Sequence, residues 1–530
     1  MAVLLAVLSM LVIAQISRSM WFFADVWDHL TNRRLTSLDD LLRPRGAHWA
    51  TPAVVVTRVA YGLAGMDFWP VHYLLRLVGW AAVSLYLWRV LLRRGADRRV
   101  AMAVLVILLF FGPSNWLTSY YMGSAIVVAT LVASASLIES HDRPGPRQRW
   151  ALFGLTLLGV MSSGEGVAAM LAMGFVILVS GRLRQWYAPL VGTAGVYAAW
   201  YLTYNTRGAV ERPPIGVDIL LRLPETFVEV VRNALPRLVA VGPELGGALT
   251  LGLAAWLVWL AMRSKLGVFD AIMLLTATVY LSLVVVGRIL PGLGQADAIR
   301  YADTLGLMII PVLIPHVHPP PGRPAAIVIM GLVAAMLLGH VRVLQGGINF
   351  WEARSSASRQ VVEAAASLVA AGEPYLPNGG VDSPRSGVLT FAGLQQLLDE
   401  GWAPAAPDDP DVIEEARARA RTALASGDRP HGVPAEADVP LDDEGCTRLA
   451  AGQSLDVVVV EDGALGLYGS ARTELALMWV DEFGEGELET QLGGASKRLW
   501  LGDPMTSAQL TLAVTGGPPL RVCGLVAPAS

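Results

Sequence analysis

Long apolar runs alternate with short polar stretches from the N-terminus to about Val343. A helix needs about 20 apolar residues to cross the hydrocarbon core of a bilayer, and fewer when it is tilted or packed in a bundle. The runs predict about eleven membrane-spanning helices, at 2–23, 70–92, 100–117, 121–138, 150–163, 167–181, 186–204, 246–262, 267–289, 304–318 and 325–343. Two of these runs, 150–163 and 167–181, are short, so the pattern is compatible with ten to twelve spans.

The first run has two interpretations. A cleaved signal peptide carries a basic n-region and an Ala-x-Ala cleavage site. The run lacks a basic n-region and a clear cleavage site of this kind, so the pattern favours an uncleaved anchor.

The pattern changes after Val343. Residues 351–371 and 414–425 are predicted helices, and Pro/Gly-rich linkers separate them at 374–388 and 403–410. Short β-rich runs bounded by Gly and Asp follow, at 455–460, 475–480, 487–492, 510–514 and 520–526. The chain is therefore predicted to have a membrane domain at 1–345 and a soluble domain at 346–530. The soluble domain should be β-rich from about residue 440, with an α+β or β-sandwich fold.

Composition supports this division. Hydrophobic residues make up 54% of the 530 residues and charged residues only 16%, whereas a soluble domain usually carries about 25% charged residues. Residues 1–350 contain 28 Lys+Arg and 17 Asp+Glu, while residues 351–530 contain 12 and 27. These values argue against an ordinary soluble enzyme, a disordered chain and a nucleic-acid partner.

The basic residues predict the orientation. Cytoplasmic loops of membrane proteins are enriched in Lys and Arg. Basic groups recur in alternate loops, at 93–99, 143–149, 182–184, 263–265 and 323. All five loops face the cytoplasm if the N-terminus is inside. Loops 24–69, 205–245 and 290–303 then lie outside, and an odd number of spans makes the C-terminal domain extracytoplasmic. The predicted location is the plasma membrane, with a multi-pass topology.

The chain has two cysteines, Cys446 and Cys523, and both flank strands of the C-terminal domain. An extracytoplasmic location favours a disulfide between them. Such a bond would stabilise the domain by about 4 kcal/mol in the loop-entropy model. The alternative is two buried free thiols.

Familiar nucleotide and hydrolase motifs are missing from the sequence. It contains no Walker A loop, no GxGxxG after a strand, no HExxH and no GxSxG. Their absence argues against a nucleotide-driven pump and a Rossmann-type enzyme.

The first outer loop carries the most informative polar residues. Asp25 and Asp28 follow the first apolar run and, three residues apart, share one face of a helical turn. A carboxylate there can accept a proton from a hydroxyl as a general base. Positively charged neighbours could bind a phosphate, namely His29, Arg43, Arg45 and His48. The alternative is a solvated loop whose acids offset nearby arginines.

Further polar residues lie at or inside the apolar runs. Intramembrane charges usually face a cavity or a partner, although Arg58 and Arg76 are also long enough to snorkel to the interface. Glu165 interrupts a hydrophobic hairpin, where it either lines a site or occupies an outer turn. A late outer loop carries Arg288 and the pair Arg300-Tyr301, which would suit either an anionic lipid head group or a simple interfacial anchor.

Two tryptophans of the first loop are candidate sugar contacts. Trp27 and Trp49 lie beside the acidic residues, where an aromatic face can stack on a sugar. Packing against the membrane surface is the alternative interpretation.

The order of these segments resembles the GT-C superfamily of polytopic glycosyltransferases. The resemblance covers residues 1–345 and is most specific in the first loop. It depends on four motifs in order: Asp25-Val-Trp27-Asp28, Gly46-Ala-His48-Trp49 with Pro52, Phe68-Trp69-Pro70-Val-His72, and Arg300-Tyr301. Similar plans occur in oligosaccharyltransferases, protein mannosyltransferases and actinobacterial arabinofuranosyltransferases.

The resemblance implies an enzyme that takes its sugar from a polyprenyl-phosphate donor on the outer face. Asp25 then matches the loop acid that deprotonates the acceptor hydroxyl, with Asp28 as the second candidate. His48 and Arg300 match positions that contact the donor phosphate. Some relatives bind a divalent cation such as Mg²⁺, Mn²⁺ or Ca²⁺ through acids of two outer loops. Here Asp297 and Asp303 could serve with Asp25.

Three classes of function remain in competition. A glycosyltransferase would act on a cell-envelope glycan, lipid or protein acceptor. A transporter or lipid flippase predicts inverted repeats and charged groups near the bilayer centre, and the sequence has no convincing repeat. A structural cell-envelope protein would act through its C-terminal domain.

Overall fold

The structure is a computed structural model in which most of the described residues are helical. It describes residues 1–16, 21–22, 26–31, 33–44, 48–111, 120–204, 217–238, 243–263, 265–286, 299–318, 323–373, 375, 381, 389–405, 409–425, 447–460, 464–468, 474–481, 484–491, 496–501, 507–516 and 520–524.

The chain divides into two compact units. The first contains Met1–Ser19 and Arg33–Trp351, and the second contains Met20–Asn32 and Glu352–Ser530. The boundary follows Trp351, against a predicted boundary at residue 345. The sequence pattern did not predict that 20–32 belongs to the second unit, because this stretch directly follows the first apolar run.

The first unit is a bundle of α-helices. The helices before residue 182 are α1 Ala2–Ile16, α3 Leu38–Leu42, α4 Thr51–Ala64, α5 Trp69–Arg93, α6 Arg98–Phe111, α7 Tyr120–Ser140, α8 Pro146–Val160 and α9 Gly164–Val179; α2, Val26–Leu30, belongs to the second unit. The later ones are α10 Leu183–Tyr204, α11 Val217–Leu238, α12 Gly246–Met262, α13 Val268–Val284 and α14 Ile299–Leu313. Among the described residues, 3₁₀ helices lie at Gly65–Phe68, Pro243–Leu245 and Ile314–His316.

The core of this unit is formed by apolar side chains from the long helices. Trp80, Leu131, Met173, Phe269 and Met308 are all buried in one continuous cluster. The indole N–H of Trp80 donates to the backbone oxygen of Leu108 at 2.7 Å, which satisfies the one polar group that this ring buries. Burying a side chain as large as Phe269 stabilises the fold by about 1.5–3 kcal/mol.

Two helix ends show why the chain turns where it does. Gly95 after α5 and Gly181 after α9 have φ values of +87° and +70°, in the left-handed region that favours glycine. In each case the following amide bonds back into the last turn: Ala96 N donates to the oxygen of Leu91 and Arg182 N to that of Ile177. This Schellman geometry ends both helices and places an arginine at each terminus.

A network of charged side chains joins these ends. Arg94 donates from Nη1 to Glu139 Oε2 at 2.7 Å and from Nη2 to Asp270 Oδ1 at 2.6 Å. Arg182 pairs with Asp142 at 2.7 Å. The loops after α5, α7 and α9 and the loop before α13 therefore lie at the same end of the unit. These loops carry the arginines that sequence analysis expected on one side, while the side of a membrane that they face stays a prediction.

Two helical segments of the described part are long and apolar enough to cross a membrane: Leu74–Arg93 and Gly123–Ser140. Shorter apolar helices lie at Ala2–Gln15, Thr51–Ala64, Gly164–Val179, Gly246–Met262, Val268–Val284, Thr304–His316 and Val333–Arg342. Helices thus occupy the predicted runs, but among the described residues two rather than eleven are both long enough and apolar enough to cross a membrane. The multi-span architecture stays a prediction.

One long helix, α15, covers Arg323–Ala370. Sequence analysis predicted a span at 325–343 and a separate amphipathic helix at 351–371. The structure joins them, because the only proline of the segment, Pro324, lies in the first turn, where helices tolerate it. Two shorter helices follow, α16 Phe391–Asp399 and α17 Pro410–Arg421.

The second unit ends in two antiparallel sheets. The strands are β1 Thr422–Ala425, β2 Thr447–Leu449, β3 Ser454–Val460, β4 Ala464–Tyr468, β5 Glu474–Asp481, β6 Gly484–Gln491, β7 Ser496–Leu501, β8 Ser507–Gly516 and β9 Leu520–Gly524. One sheet has the order β1-β7-β4-β9-β2 and the other β3-β8-β5-β6.

Strands occupy all five predicted β-rich runs, and β1, β2, β4 and β7 are additional. The predicted helix at 414–425 ends at Arg421, because Thr422–Ala425 pairs with β7 instead. Cys523 lies in β9 opposite Gly466 of β4, whereas Cys446 lies outside the described residues, so the disulfide stays a prediction.

Candidate functional site

The first unit buries one carboxylate at the turn between α8 and α9. Glu165 is 2% exposed and lies in the first turn of α9. The Ser124 hydroxyl of α7 donates to Glu165 Oε1 at 2.7 Å, and the Ser163 hydroxyl donates to Oε2. A carboxylate with both oxygens bound by hydroxyl groups is held in one orientation. We refer to Ser124, Ser163 and Glu165 as the Glu165 cluster.

His48 lies next to this cluster. A Cβ atom added to Gly164 would lie 2.9 Å from both Nδ1 and Cε1 of the His48 ring, so the imidazole packs directly on the Gly164 backbone. Sequence analysis expected His48 to contact the donor phosphate and Glu165 either to line a site or to occupy an outer turn, and it did not connect the two residues. The structure places the two in adjacent positions, because Gly164 lacks a side chain and leaves room for the ring.

The chain after His48 is fixed by aromatic packing and hydrogen bonds. Trp49 stacks on Trp200 with ring centroids 5.0 Å apart and an interplanar angle of 3°. The Trp49 indole donates to Thr51 Oγ1 at 2.7 Å, and the Trp200 indole donates to the oxygen of Leu42 at 2.6 Å. Trp49 is 4% exposed. Its face is therefore covered by protein, and it positions His48 rather than offering a surface for a sugar.

The helices around Glu165 approach closely through glycine. A Cβ atom on Gly166 would collide with the backbone of Gly159 and lie 2.6 Å from Val160 N. A Cβ atom on Gly123 would collide with the backbone oxygen of Ser162. These contacts fix α7, α8 and α9 against one another at the level of the Glu165 cluster.

The Glu165 cluster and the Arg94 network lie at opposite ends of α7. Ser124 lies near the beginning of the helix and Glu139 near its end. Fifteen residues at 1.5 Å each separate them by about 22 Å along the axis. One end of the first unit thus carries the basic loops, and the other carries the buried carboxylate with the imidazole.

Two candidate arginines have different environments. Arg76 is 1% exposed within α5, so its guanidinium is enclosed by protein and does not snorkel. Arg58 is half-buried in α4, with Cζ 5.1 Å from the centroid of the Tyr61 ring. Arg76 is therefore the stronger candidate for binding an anion inside the protein, whereas Arg58 is held by a cation–π contact.

The acidic segment of the first loop belongs to the second unit. Helix α2 has the sequence Val-Trp-Asp-His-Leu, and Val26, Trp27, His29 and Leu30 are all buried. Asp28 is the half-exposed residue of the five. The apolar residues fix the helix, and the carboxylate is the side chain that it leaves accessible.

Trp27 is a packing residue. It is fully buried, with its ring 5.4 Å from that of Trp21 and 5.5 Å from that of Phe22. The expected sugar contact through Trp27 has no open aromatic face in this arrangement. His29 is 1% exposed and is likewise enclosed.

Other predicted site residues lie outside what the structure describes. Asp25, Arg288 and Asp297 are not among the described residues, and for Arg300, Tyr301 and Asp303 only the helical backbone of α14 is described. The proposed cation ligands are among them. Within the described part of the chain, no group of three or more His, Cys, Asp or Glu side chains is arranged to hold a metal ion.

Sequence reasoning did not identify the partners of Glu165. Ser163 was visible in the Ser-Ser-Gly-Glu-Gly turn, but Ser124 lies 41 positions earlier, in an apolar helix with no pattern that connects the two. Comparison of the chain with protein-family models, with curated proteins and with solved structures finds no match.

Proposed function

We propose that the chain is an integral-membrane, inverting glycosyltransferase. It would move a sugar from a polyprenyl-phosphate donor to a glycan, lipid or protein acceptor of the cell envelope, on the outer face of the plasma membrane. Asp28 or Asp25 would be the general base. The observation that carries the proposal is the position of Asp28: it is the half-exposed carboxylate of a helix whose other four residues are buried, inside the segment that resembles a GT-C first loop.

Apolar side chains on the outside of the first unit support a membrane location. Leu4 and Leu11 of α1 are 71% and 64% exposed, and Leu251 and Met262 of α12 are 74% and 81% exposed. Large contiguous apolar patches are rare on the surface of soluble monomers. Lipid chains would cover these faces, and the basic loops at the Arg94 end would face the cytoplasm.

The proposed reaction requires one proton acceptor near the acceptor hydroxyl. The hydroxyl oxygen attacks the anomeric carbon, the bond from that carbon to the phosphate oxygen breaks, and the configuration inverts. The hydroxyl proton passes to the aspartate carboxylate, and polyprenyl phosphate leaves as the anion. A fixed and accessible carboxylate such as Asp28 suits this role, which typically accelerates a reaction about 10²–10⁴-fold.

Within the first unit, the Glu165 cluster and His48 are the groups suited to bind a sugar or a phosphate. Hydroxyl, carboxylate and imidazole groups are the side chains that recognise sugar hydroxyls and phosphate oxygens. The hydrogen bonds from Ser124 and Ser163 hold the carboxylate in one orientation before a substrate arrives. Such preorganisation lowers the entropy that binding would otherwise cost.

The test is transfer by the purified full-length protein in lipid nanodiscs, with polyprenyl-phosphate-linked pentoses and hexoses as donors. We expect Asp28→Asn or Asp25→Asn to lower kcat about 10²–10⁴-fold, as loss of a general base does. The matched control is Asp39→Asn, which removes an exposed carboxylate of α3 in the same loop and should leave kcat unchanged.

The outcomes separate the competing functions. Undiminished transfer by both Asp28→Asn and Asp25→Asn would refute the assigned base while leaving the enzyme class intact. Movement of an intact lipid-linked sugar across liposomes, without any chemical change, would favour a flippase or transporter instead.

A further inference from the structure

The second unit contains the acidic segment of the first outer loop in addition to the C-terminal part of the chain. Met20–Asn32 belongs to one compact unit with Glu352–Ser530, more than 300 positions away in the chain. Trp21, Phe22, Trp27 and Leu30 are all buried, and three of them form an aromatic cluster. The helix that carries Asp28 is therefore packed inside the same unit as the C-terminal part of the chain.

Helix α15 holds the beginning of this segment. The backbone N–H of Trp21 donates to Ser355 Oγ at 3.2 Å, and Ser355 is fully buried. One turn later, Cζ of Arg359 lies 5.5 Å from the centroid of the Trp21 ring. Arg359 is in turn fixed by Glu363, to which its Nε donates at 2.8 Å. Ser355 thus accepts a backbone hydrogen bond from the segment, and Arg359 covers the ring of Trp21.

Helix α16 holds the end of the segment. A Cβ atom on Gly393 would lie 2.9 Å from Cβ of Thr31 and 3.1 Å from its Oγ1, so Thr31 packs directly on the glycine backbone. Thr31 closes α2 through its own side chain, because its hydroxyl donates to the oxygen of Trp27 at 2.9 Å. Gly393 therefore contacts the residue that directly follows the C-terminal end of α2.

We propose that Ser355, Arg359 and Gly393 are positioning residues for the base of the transfer reaction, and that the C-terminal unit thereby sets the orientation of Asp28. This inference rests on the proposed function. It assigns the C-terminal unit a role in the chemistry of the acceptor, which a domain that only binds glycan would not have. The segment is anchored at both ends, and Asp28 lies between the two anchors.

The experiment combines hydrogen exchange with kinetics on the full-length protein in nanodiscs. In Ser355→Ala the Trp21 amide loses its buried acceptor, and we expect amide exchange across residues 21–31 to rise about tenfold. With a donor that the wild type uses, kcat should fall about 10–100-fold because a misplaced base reacts poorly, while KM for the donor stays unchanged. Ser355→Thr keeps the hydroxyl and should restore both values.

Two further variants separate positioning from folding. Gly393→Ala favours helix formation in α16 but pushes on Thr31, so it should raise exchange in 21–31 without raising it in α16. Ser367→Ala is the matched control on α15, because its hydroxyl donates within its own helix to the oxygen of Glu363. It should change neither exchange in 21–31 nor kcat.

The outcomes distinguish failure of this inference from failure of the proposed function. Unchanged exchange across 21–31 in both Ser355→Ala and Gly393→Ala overturns the inference, and so does raised exchange with wild-type kcat. If no donor is used by the wild type, the proposed function fails. Exchange alone then decides whether the C-terminal unit holds the segment.

Discussion

Replacing Glu165 by alanine removes the acceptor of two buried hydroxyl groups. Ser124 is 4% and Ser163 is 6% exposed, so water does not readily replace the lost carboxylate. An unsatisfied buried polar group costs about 1–3 kcal/mol, which gives about 2–6 kcal/mol for the two. We expect Glu165→Ala to lower the free energy of unfolding by an amount in this range. Glu165→Gln, which keeps one oxygen acceptor, should cost less.

A double-mutant cycle tests whether the hydrogen bond is the cause. Ser124→Ala in the Glu165→Ala background removes one of the orphaned hydroxyls, so the double variant should be more stable than the sum of the single changes predicts. The expected coupling is about 0.5–3 kcal/mol. The measurement is tryptophan fluorescence during reversible unfolding of the purified protein in mixed micelles.

The control for this cycle is Ser140→Ala, at the other end of α7. The Ser140 hydroxyl is exposed and donates to the oxygen of Ser136. Combined with Glu165→Ala it should be additive within about 0.5 kcal/mol. Additivity of Ser124→Ala with Glu165→Ala to the same precision would refute the reasoning, because the two side chains would then not act on one another.

Two further predictions concern the packing and charge of the first unit. Gly166→Ala should lower the midpoint of thermal unfolding, because its Cβ would meet backbone rather than a flexible side chain and overpacking costs about 1–3 kcal/mol. The control is Gly174→Ala in the same helix, which has open space around the added Cβ and should leave the midpoint unchanged. Equal midpoints for the two variants would contradict the close approach of α8 and α9. Arg94→Met should cost about 3–5 kcal/mol because Asp270, 1% exposed, loses its partner. Adding Asp270→Asn should recover part of this stability, whereas the exposed control Arg263→Met should change it by less than about 0.5 kcal/mol. Unfolding curves of Arg94→Met that match those of wild type would show that the network is dispensable.

The positions of the helices and strands followed from local pattern. Apolar runs of helical length became α5, α7, α9 and α13, and Gly95 and Gly181 ended helices through a conformation that other residues adopt at a cost. The alternating runs after residue 454 became strands. Such features depend on neighbours in the sequence, so the sequence contains the information. The break predicted between 343 and 351 was wrong, because a change from apolar to amphipathic composition does not end a helix without a proline or a cap.

Only some residues of the candidate sites could be predicted from the sequence. Glu165 was a candidate because an ionisable residue that interrupts an apolar hairpin needs an explanation, and His48 was a candidate because it lies in the first outer loop with the acidic residues. Ser124 did not, because a serine in an apolar helix is common and only its contact with Glu165 distinguishes it. The contact of Gly164 with His48 could not be predicted either, because the space around a glycine is known only when the neighbouring atoms are known.

The sequence by itself determined that this protein has an apolar helical part with basic loops and an acidic β-rich part, because composition and periodicity are properties of consecutive residues. Tertiary structure decided which distant residues share a site. It placed His48 on Gly164 beside Glu165, and it assigned Asp28 to the unit that also contains Glu352–Ser530 rather than to the unit of the helices that flank it in the chain. Contacts of this kind arise from side chains that are far apart in sequence and complementary in shape, and no local pattern encodes that complementarity.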